Sequence, residues 1–283
     1  MLSRKKLTQL RSRDMSFWQN KVALVTGGSQ GLGLAIARAA AAAGARVVIA
    51  ARNQEQLAAA AAAISTSDRT CGWLPCDVTQ EDQVAALVAE VIQMHGRLDL
   101  LVNCAGKSDR GEAAAVSAEQ FRELLDLNFL SAVRMTRAAL PHLLKSRGHV
   151  VHIASLAAKT ASRYLGAYPV SKFPLSAYAQ QLRLELGPQG LHTLLVCPGP
   201  IRRDDSGRRY DAAAADLPAE ARQPGGGVKL KGIDPDWLAT RILAACERRQ
   251  AELVVPARAK LLFALAQLWP TLGDWIITRM TKR

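Results

Sequence analysis

Through the middle of the chain, short runs of consecutive apolar residues alternate with longer stretches rich in Ala and Leu. Val22-Ala23-Leu24-Val25, Val47-Val48-Ile49, Leu98-Asp99-Leu100-Leu101-Val102, Val150-Val151-His152-Ile153 and Leu194-Leu195-Val196 are each followed by a helical segment. A strand that is apolar at nearly every position buries both faces, and strands that alternate with helices pair in parallel. The pattern therefore predicts an α/β fold: a single doubly wound parallel sheet flanked by helices on both faces. Two alanine runs, Ala39 to Ala43 and Ala58 to Ala63, fall in the helical stretches. Alanine has the best helix propensity, so they read as helix and not as low-complexity sequence.

Two regions break the alternation. Residues 202–232 carry charges, prolines and three successive glycines, the composition of a long loop, and loops of this length in a compact domain commonly act as lids. From Pro256 onward, Leu261, Leu262, Phe263, Leu265, Leu268, Trp269, Leu272, Trp275, Ile276 and Ile277 gather beside Arg258, Lys260, Arg279, Lys282 and Arg283. That mixture suits an amphipathic helix pair that seeks a surface or a partner. The expected organisation is a basic N-terminal arm (1–20), a folded domain (21–255) containing a substrate lid loop (202–232), and an amphipathic tail (256–283).

Composition narrows the functional classes. With 49% hydrophobic and 22% charged residues over 283 positions, the chain has globular proportions. Its net charge of +13 and pI near 10.0 invite a polyanion, a membrane surface or an anionic ligand. The charge is unevenly placed: residues 1–14 and 256–283 each hold five basic side chains and one acidic, leaving +5 between them. No DNA-binding motif accompanies it, so no specific nucleic acid is expected. Cys71, Cys76, Cys104, Cys197 and Cys246 are odd in number and lack metal-ligand spacing, which points to a reducing cytoplasm without structural zinc or disulfides. His149 and His152 straddle a strand and read as structural, while His95, His142 and His192 stand isolated; no metal is implied. The longest uncharged run near either end, Leu261 to Gly273, is 13 residues, short of the ~20 of a spanning helix. Peripheral membrane contact through the tail is one expectation; packing on its own domain or a second subunit is the other.

Candidate chemistry begins directly after the first strand, at Thr26-Gly27-Gly28-Ser29-Gln30-Gly31-Leu32-Gly33. Glycines allow a positive φ and close backbone approach to a pyrophosphate, and the helix that follows offers N–H groups and a partial positive charge. Further on come Asp77-Val78, Asn103-Cys104-Ala105-Gly106, Asn128, Ser155, Tyr168-x-x-x-Lys172 and Pro198-Gly199. A group that gives or takes a proton at a substrate oxygen must lie within hydrogen-bond reach of it. A free tyrosine, with a pKa of ~10, is a poor base near neutrality. A lysine four residues on shares its helix face, and its charge favours the phenolate. Tyr164 and Tyr178 have no lysine at that spacing.

In this order and spacing the motifs resemble the classical short-chain dehydrogenase/reductase family, from about Lys21 to Val255. The resemblance implies a Rossmann-type fold and a catalytic set of Asn128, Ser155, Tyr168 and Lys172. Tyr168 would be the acid/base, Lys172 would lower its pKa and bind the nicotinamide ribose, Ser155 would orient the substrate oxygen, and Asn128 would hold a relay water. Cofactor contacts are expected from Gly27, Ser29, Gln30, Gly31, Leu32, Gly33, Arg52, Asp77, Val78, Asn103, Tyr168, Lys172, Pro198, Gly199 and Ile201. Asp77 would bond the adenine amino group. Ala51 stands where an acidic residue would bind a ribose 2′-hydroxyl, and Arg52 follows it, so NADP(H) is favoured over NAD(H).

The expected activity interconverts a ketone and a secondary alcohol, with an apolar substrate. The alternative is a non-catalytic NADP(H)-binding or scaffolding protein of the same fold. The resemblance also implies a homodimer or homotetramer, assembled on a long helix from about Ser117 to Lys145 and on the Tyr168 helix. Three departures stand out. Cys104 replaces the usual second asparagine, Pro169 and Pro174 fall early in the Tyr168 helix, and Arg203 stands where relatives often carry a threonine that bonds the nicotinamide carboxamide.

Overall fold

The computed structural model describes residues 17–66, 70–203, 210, 214–223, 225, 227 and 231–281. Strands β1 (Val22–Thr26), β2 (Arg46–Ala51), β3 (Gly72–Pro75), β4 (Leu100–Asn103), β5 (His149–Ile153), β6 (His192–Pro198) and β7 (Glu252–Val255) form one sheet. Their order is β3-β2-β1-β4-β5-β6-β7 and every pairing is parallel. Because side chains alternate across a sheet, each apolar strand feeds two cores at once. Ala23, Val25, Val47, Ile49, Val102, Val151 and Val196 meet helices α1 (Gly31–Ala42), α2 (Gln54–Ile64) and α7 (Pro235–Glu247) on one face. Val22, Leu24, Val48, Leu101 and Val150 meet α3 (Glu81–His95) and α5 (Ser131–Ser146) on the other, where α6 (Tyr168–Leu186) also packs. The doubly wound sheet is thus as expected, and both alanine runs lie largely in helices, α1 and α2.

Several boundaries differ from the expectation. The edge strands β3 and β7 lie outside the five apolar runs. Leu98 and Asp99 precede β4, and Asp99 is turned to structural use: its carboxylate accepts a 2.9 Å bond from the Val22 N–H and pairs with Arg97 at 2.6 Å. Phe17 and Trp18, assigned to the arm, pack on the domain. Trp18 is 1% exposed and packs its ring at a tilt against His149, 5.4 Å between centroids, because an indole gains from burying its large apolar surface. Residues 1–16 and much of the expected lid loop lie outside the described residues.

The helix expected from about Ser117 to Lys145 is interrupted. Ser117 and Gln120 form a reciprocal capping box that starts α4 (Ala118–Leu125). Asp126–Leu130 then forms a π turn in which the Ser131 N–H reaches back five residues to the Asp126 carbonyl, and α5 follows. The extra residue in such a turn re-aims the side chains near it, here Asn128. After β7, α8 (Ala259–Leu268) and α9 (Pro270–Thr281) form a helical hairpin; a Cβ on Gly273 would come within 2.6 Å of Ala266, so glycine is what lets the two helices close.

At the N-terminal ends of β5 and β6, His149 Nδ1 and His192 Nδ1 face each other at 2.9 Å, and His192 Nε2 lies 2.8 Å from the Gln250 carbonyl. With Cys246 they form a buried trio whose candidate ligand atoms lie within 4.8 Å of one another. Three separate elements supply it, which is why linear spacing does not reveal it. Burial, aided by the charges of Lys21 and Arg249, pushes His149 down to about 3, and burial likewise pushes His192 down to about 4. That positive surrounding suits a neutral imidazole pair better than a cation. His152, fully buried, is also pushed down to about 3 by burial.

These shifts make a pH prediction. Below pH ~6.5 the histidines of the unfolded chain bind protons that the folded chain refuses, so stability falls as pH drops, by about 1.4 kcal/mol per unit for each independent site. Between pH 7 and pH 5 a single site loses about 2 kcal/mol. Urea unfolding at the two pH values should show at least that loss, with a shallower decline in His149→Gln; an equal midpoint at both would contradict the buried neutral pair.

Candidate active site

The sheet order reverses direction between β1 and β4, so their C-terminal ends part and leave a crevice uncovered by crossover helices. Thr26, the last residue of β1, ties the two ends together. Its hydroxyl donates to the Val102 carbonyl at 3.2 Å and accepts from the N–H groups of Cys104 and Ala105 at 3.1 and 3.3 Å. Gly27 follows with φ +65°, and a Cβ there would stand 3.0 Å from Ala105, so both conformation and crowding demand glycine. A Cβ on Gly33 would lie 2.2 Å from the Gly27 carbonyl oxygen, which fixes how closely α1 approaches the turn.

Above this turn opens a cavity of about 1340 Å³. Of the expected cofactor contacts, Gly27, Ser29, Gln30, Leu32, Gly33, Arg52, Asp77, Val78, Tyr168, Lys172, Pro198, Gly199 and Ile201 line it, and so does Ser155. Gly31 sits beside Arg203 at its edge. Asn103 is brought elsewhere: its amide donates to Thr136 Oγ1 at 3.2 Å and faces His152 Nδ1 at 3.3 Å, so its side chain points into the core beneath the crevice. Arg52 is exposed at the rim, at the end of β2, while Asn53 caps α2 by accepting from the Gln56 N–H at 2.9 Å. Burial opposes the charge of Asp77, but bonds from Thr79 and the nearby Arg52 and Arg134 hold its carboxyl below the usual range.

The expected catalytic side chains come from three elements. Ser155 follows β5 in extended conformation, its hydroxyl oxygen accepting from the Ala157 N–H at 3.1 Å. Tyr168 opens α6, half-buried, and Lys172 lies one turn further on. Pro169 sits in the first turn, where no N–H is needed, and the helix runs on through Pro174 to Leu186, so neither proline breaks it. Lys172 is 6% exposed; Nζ donates to the Ile153 carbonyl at 3.0 Å, and burial pushes its pKa down to about 8 against an opposing pull from Cys104 and Cys197.

Asn128 is buried behind the cavity wall. A Cβ placed on Gly106 would lie 2.6 Å from Asn128 Oδ1 and 3.4 Å from Lys172 Nζ, so glycine at 106 joins the two. The amide is heavily committed. Oδ1 accepts from the Lys107 N–H at 2.9 Å, and Nδ2 donates to the Lys107 carbonyl at 2.9 Å and to Ser171 Oγ at 2.8 Å. Both donor hydrogens are spent, and one acceptor site on Oδ1 is left for a water.

Arg110 is a site-shaping residue that sequence reasoning misses. It is 5% exposed, donates to the carbonyls of Ala221 and Gln223 at 2.6 and 3.1 Å, and its guanidinium lies 3.6 Å from the ring centroid of Tyr210, whose hydroxyl is 2.6 Å from Ser108 Oγ. The described part of the 202–232 loop is thereby pinned over the cavity. No motif spacing signals it, since the partners are 100 or more positions apart. The far wall comes from the hairpin, through Leu261, Leu262, Phe263, Leu265, Ile276 and Ile277.

The crowding at Gly33 gives a direct test. Gly33→Ala must displace the turn and should cost about 1–3 kcal/mol of stability, the usual range for overpacking. It should also weaken dinucleotide binding. Thermal melts and a binding titration would check both, and a variant matching the parent in each would refute the described contact.

Fold and site agree with what the chain resembles. The family model described as short chain dehydrogenase matches residues 21–212. Dehydrogenase/reductase SDR family member 7B of Danio rerio is 32% identical over 262 residues, which cover 90% of this chain and 83% of the relative. Among solved structures, a short-chain dehydrogenase from Streptomyces avermitilis superposes with a TM-score of 0.76 at 30% identity, covering 93% of this chain and 98% of that one. An actinorhodin polyketide ketoreductase solved with NADPH gives a TM-score of 0.74 at 27% identity, over 83% and 95%. A parallel sheet of this order, a glycine turn at its switch point and a family match over most of its length make this chain a member of the short chain dehydrogenase family, an oxidoreductase built to bind a nicotinamide cofactor.

Proposed function

We propose that the chain is an NADP(H)-dependent carbonyl reductase or alcohol dehydrogenase acting on an apolar ketone or secondary alcohol. The observation that carries the reading is the convergence of Ser155, Tyr168 and Lys172 on one cavity with Arg52 at its rim. A cradle that any Cβ would fill, at Gly27 and Gly33, and a cavity of about 1340 Å³ fit a dinucleotide with room for a substrate. Arg52 would hold the 2′-phosphate, for which a guanidinium fork is suited, and Ala51 offers no carboxylate to repel it. The NADPH seen with the ketoreductase supports the same choice.

The cofactor, when bound, supplies or accepts the hydride. Tyr168 supplies or takes the proton at the substrate oxygen, and Ser155 orients that oxygen by a hydrogen bond. Lys172, charged and held by the Ile153 carbonyl, stabilises the tyrosinate. Asn128 fixes the Lys107 backbone beside Lys172 and keeps one acceptor for a relay water. The apolar wall contributed by Leu262, Phe263, Leu265 and Ile277 favours a bulky hydrocarbon substrate.

The same hairpin turns Leu261, Leu268, Trp269, Leu272 and Trp275 to solvent beside Arg258, Lys260 and Arg279, with Asp274 the one acid among the described residues of the tail. This would suit the interface of an anionic bilayer, where Arg279, 3.9 Å over the Trp275 ring, would meet the headgroups. Exposed Leu130, Val170 and Phe173 on the π turn and α6 supply an apolar face for a homodimer or homotetramer.

A panel of ketones and alcohols followed by NADPH and NADH absorbance tests the activity. Turnover of apolar ketones should be faster with NADPH and should fall at least 100-fold in Tyr168→Phe, the scale of acid–base catalysis. Activity surviving that substitution sinks the mechanism, and a preference for NADH sinks the role of Arg52. Sedimentation with and without anionic liposomes tests the surfaces: a dimer or tetramer alone, and pelleting with vesicles that Trp269→Ser/Trp275→Ser reduces. A monomer, or a chain left wholly in the supernatant, would remove the corresponding part of the proposal.

A further inference from the structure

The loop that leaves β6 carries the departure noted above, an arginine at 203. Its path is fixed. Ile201 and Ile233 form an isolated parallel bridge, in which the Arg202 N–H donates to the Ile233 carbonyl at 2.8 Å and the Ile233 N–H to the Pro200 carbonyl at 2.8 Å. Arg202 is further held by an ion pair with Asp234. The backbone that presents Arg203 is therefore anchored on both sides of position 201, and Gly232 allows the approach, since a Cβ there would meet Arg202 Cγ at 2.7 Å.

From this anchor the Arg203 side chain reaches over the crevice to the glycine turn. Its Nη1 stands 3.4 Å from where a Gly31 Cβ would be, and its charge is felt by Cys104 at the end of β4. The guanidinium thus lies at the switch point between β1 and β4, facing the first turn of α1. That turn holds no acidic residue, and its N-cap Gln30 makes no side-chain capping bond. Backbone N–H groups at a helix start and a guanidinium opposite them both suit an oxyanion, and the oxyanion that a dinucleotide would bring to a glycine turn is its diphosphate. A carboxamide, the partner of the usual threonine, lies at the other end of a dinucleotide, nearer Tyr168.

We propose that Arg203 is a diphosphate-binding residue. It closes the phosphate subsite from the side opposite the glycine turn, so that β6 and α1 share the diphosphate. The proposal rests on the dinucleotide-binding reading above. It assigns the unusual residue to affinity for the phosphates and removes it from nicotinamide positioning.

The test is equilibrium binding, with no turnover required. Dissociation constants are measured for NADPH and for 2′-phospho-ADP-ribose, which keeps the diphosphate and lacks the nicotinamide, on the parent chain and on Arg203→Ala, Arg203→Lys and Arg203→Thr. Arg203→Ala and Arg203→Thr should weaken both ligands by the same factor, about 10- to 100-fold, the loss expected for a charge-assisted pair. Arg203→Lys should recover part of it. Binding by the parent should also weaken more steeply with salt than binding by Arg203→Ala. Melting curves without ligand verify that each variant is folded, and Arg203→Lys carries the test should Arg203→Ala not fold. Weakening confined to NADPH places Arg203 at the nicotinamide and overturns the proposal; so does unchanged affinity for both. A parent chain that binds neither ligand nor NADH overturns the dinucleotide reading itself, a result distinct from either.

Discussion

The site exists because crossover connections leave β1 and β4 in opposite directions. Helices can cover a parallel sheet only along the path of its connections, so the edge shared by these two strands is left open at their C-terminal ends. The residues proposed for function reach this opening from loops and helix starts: the glycine turn from β1, Arg52 from β2, Asp77 from β3, Ser155 from β5 and Arg203 from β6, with Tyr168 and Lys172 on the first turns of α6. The opening would spread without a tie, and the Thr26 hydroxyl, with three bonds to β4 and its continuation, supplies one.

Within that opening the costly element is the buried amine of Lys172. An ammonium removed from water must be compensated locally. A single carbonyl from Ile153 does part of this. Under the proposed mechanism a nearby tyrosinate would offset the remaining deficit. Asn128 keeps the pocket in shape. The π turn spends one extra residue to aim the asparagine at the Lys107 backbone, and Ser171, on the helix of Tyr168 and Lys172, binds the same amide.

Much of this was legible in the residues. Five continuous apolar runs gave the sheet interior, because strands buried on both faces leave no polar alternation. The edges were hidden for the opposite reason: β3 reads Gly-Trp-Leu-Pro, with half-buried and exposed residues alternating, and β7 has four residues. Neither offers a long apolar signal. The placement of Tyr168 and Lys172 together near the glycine turn was equally legible, since they are tied by helical spacing. What spacing cannot encode is contact between distant segments. Arg110 beneath the loop, the meeting of His149, His192 and Cys246, and the inward turn of Asn103 towards Thr136 and His152 all depend on which strands become neighbours. The π turn was invisible because its local sequence is an ordinary amphipathic helix.

The five cysteines, none of them in a disulfide, are buried or nearly so. Burial raises Cys71 and Cys197 to about 12 and Cys76 and Cys104 to about 11, and raises Cys246 as well. At neutral pH a thiol of pKa 11 is ionised in only about one molecule in ten thousand, and the thiolate is the form that oxidants and electrophiles attack. Cys104 stands in the cavity wall beside Lys172 and would be the natural point of oxidative damage. Held as a neutral thiol, it gives a chain whose redox chemistry belongs to a borrowed hydride carrier and whose own sulfur stays outside it.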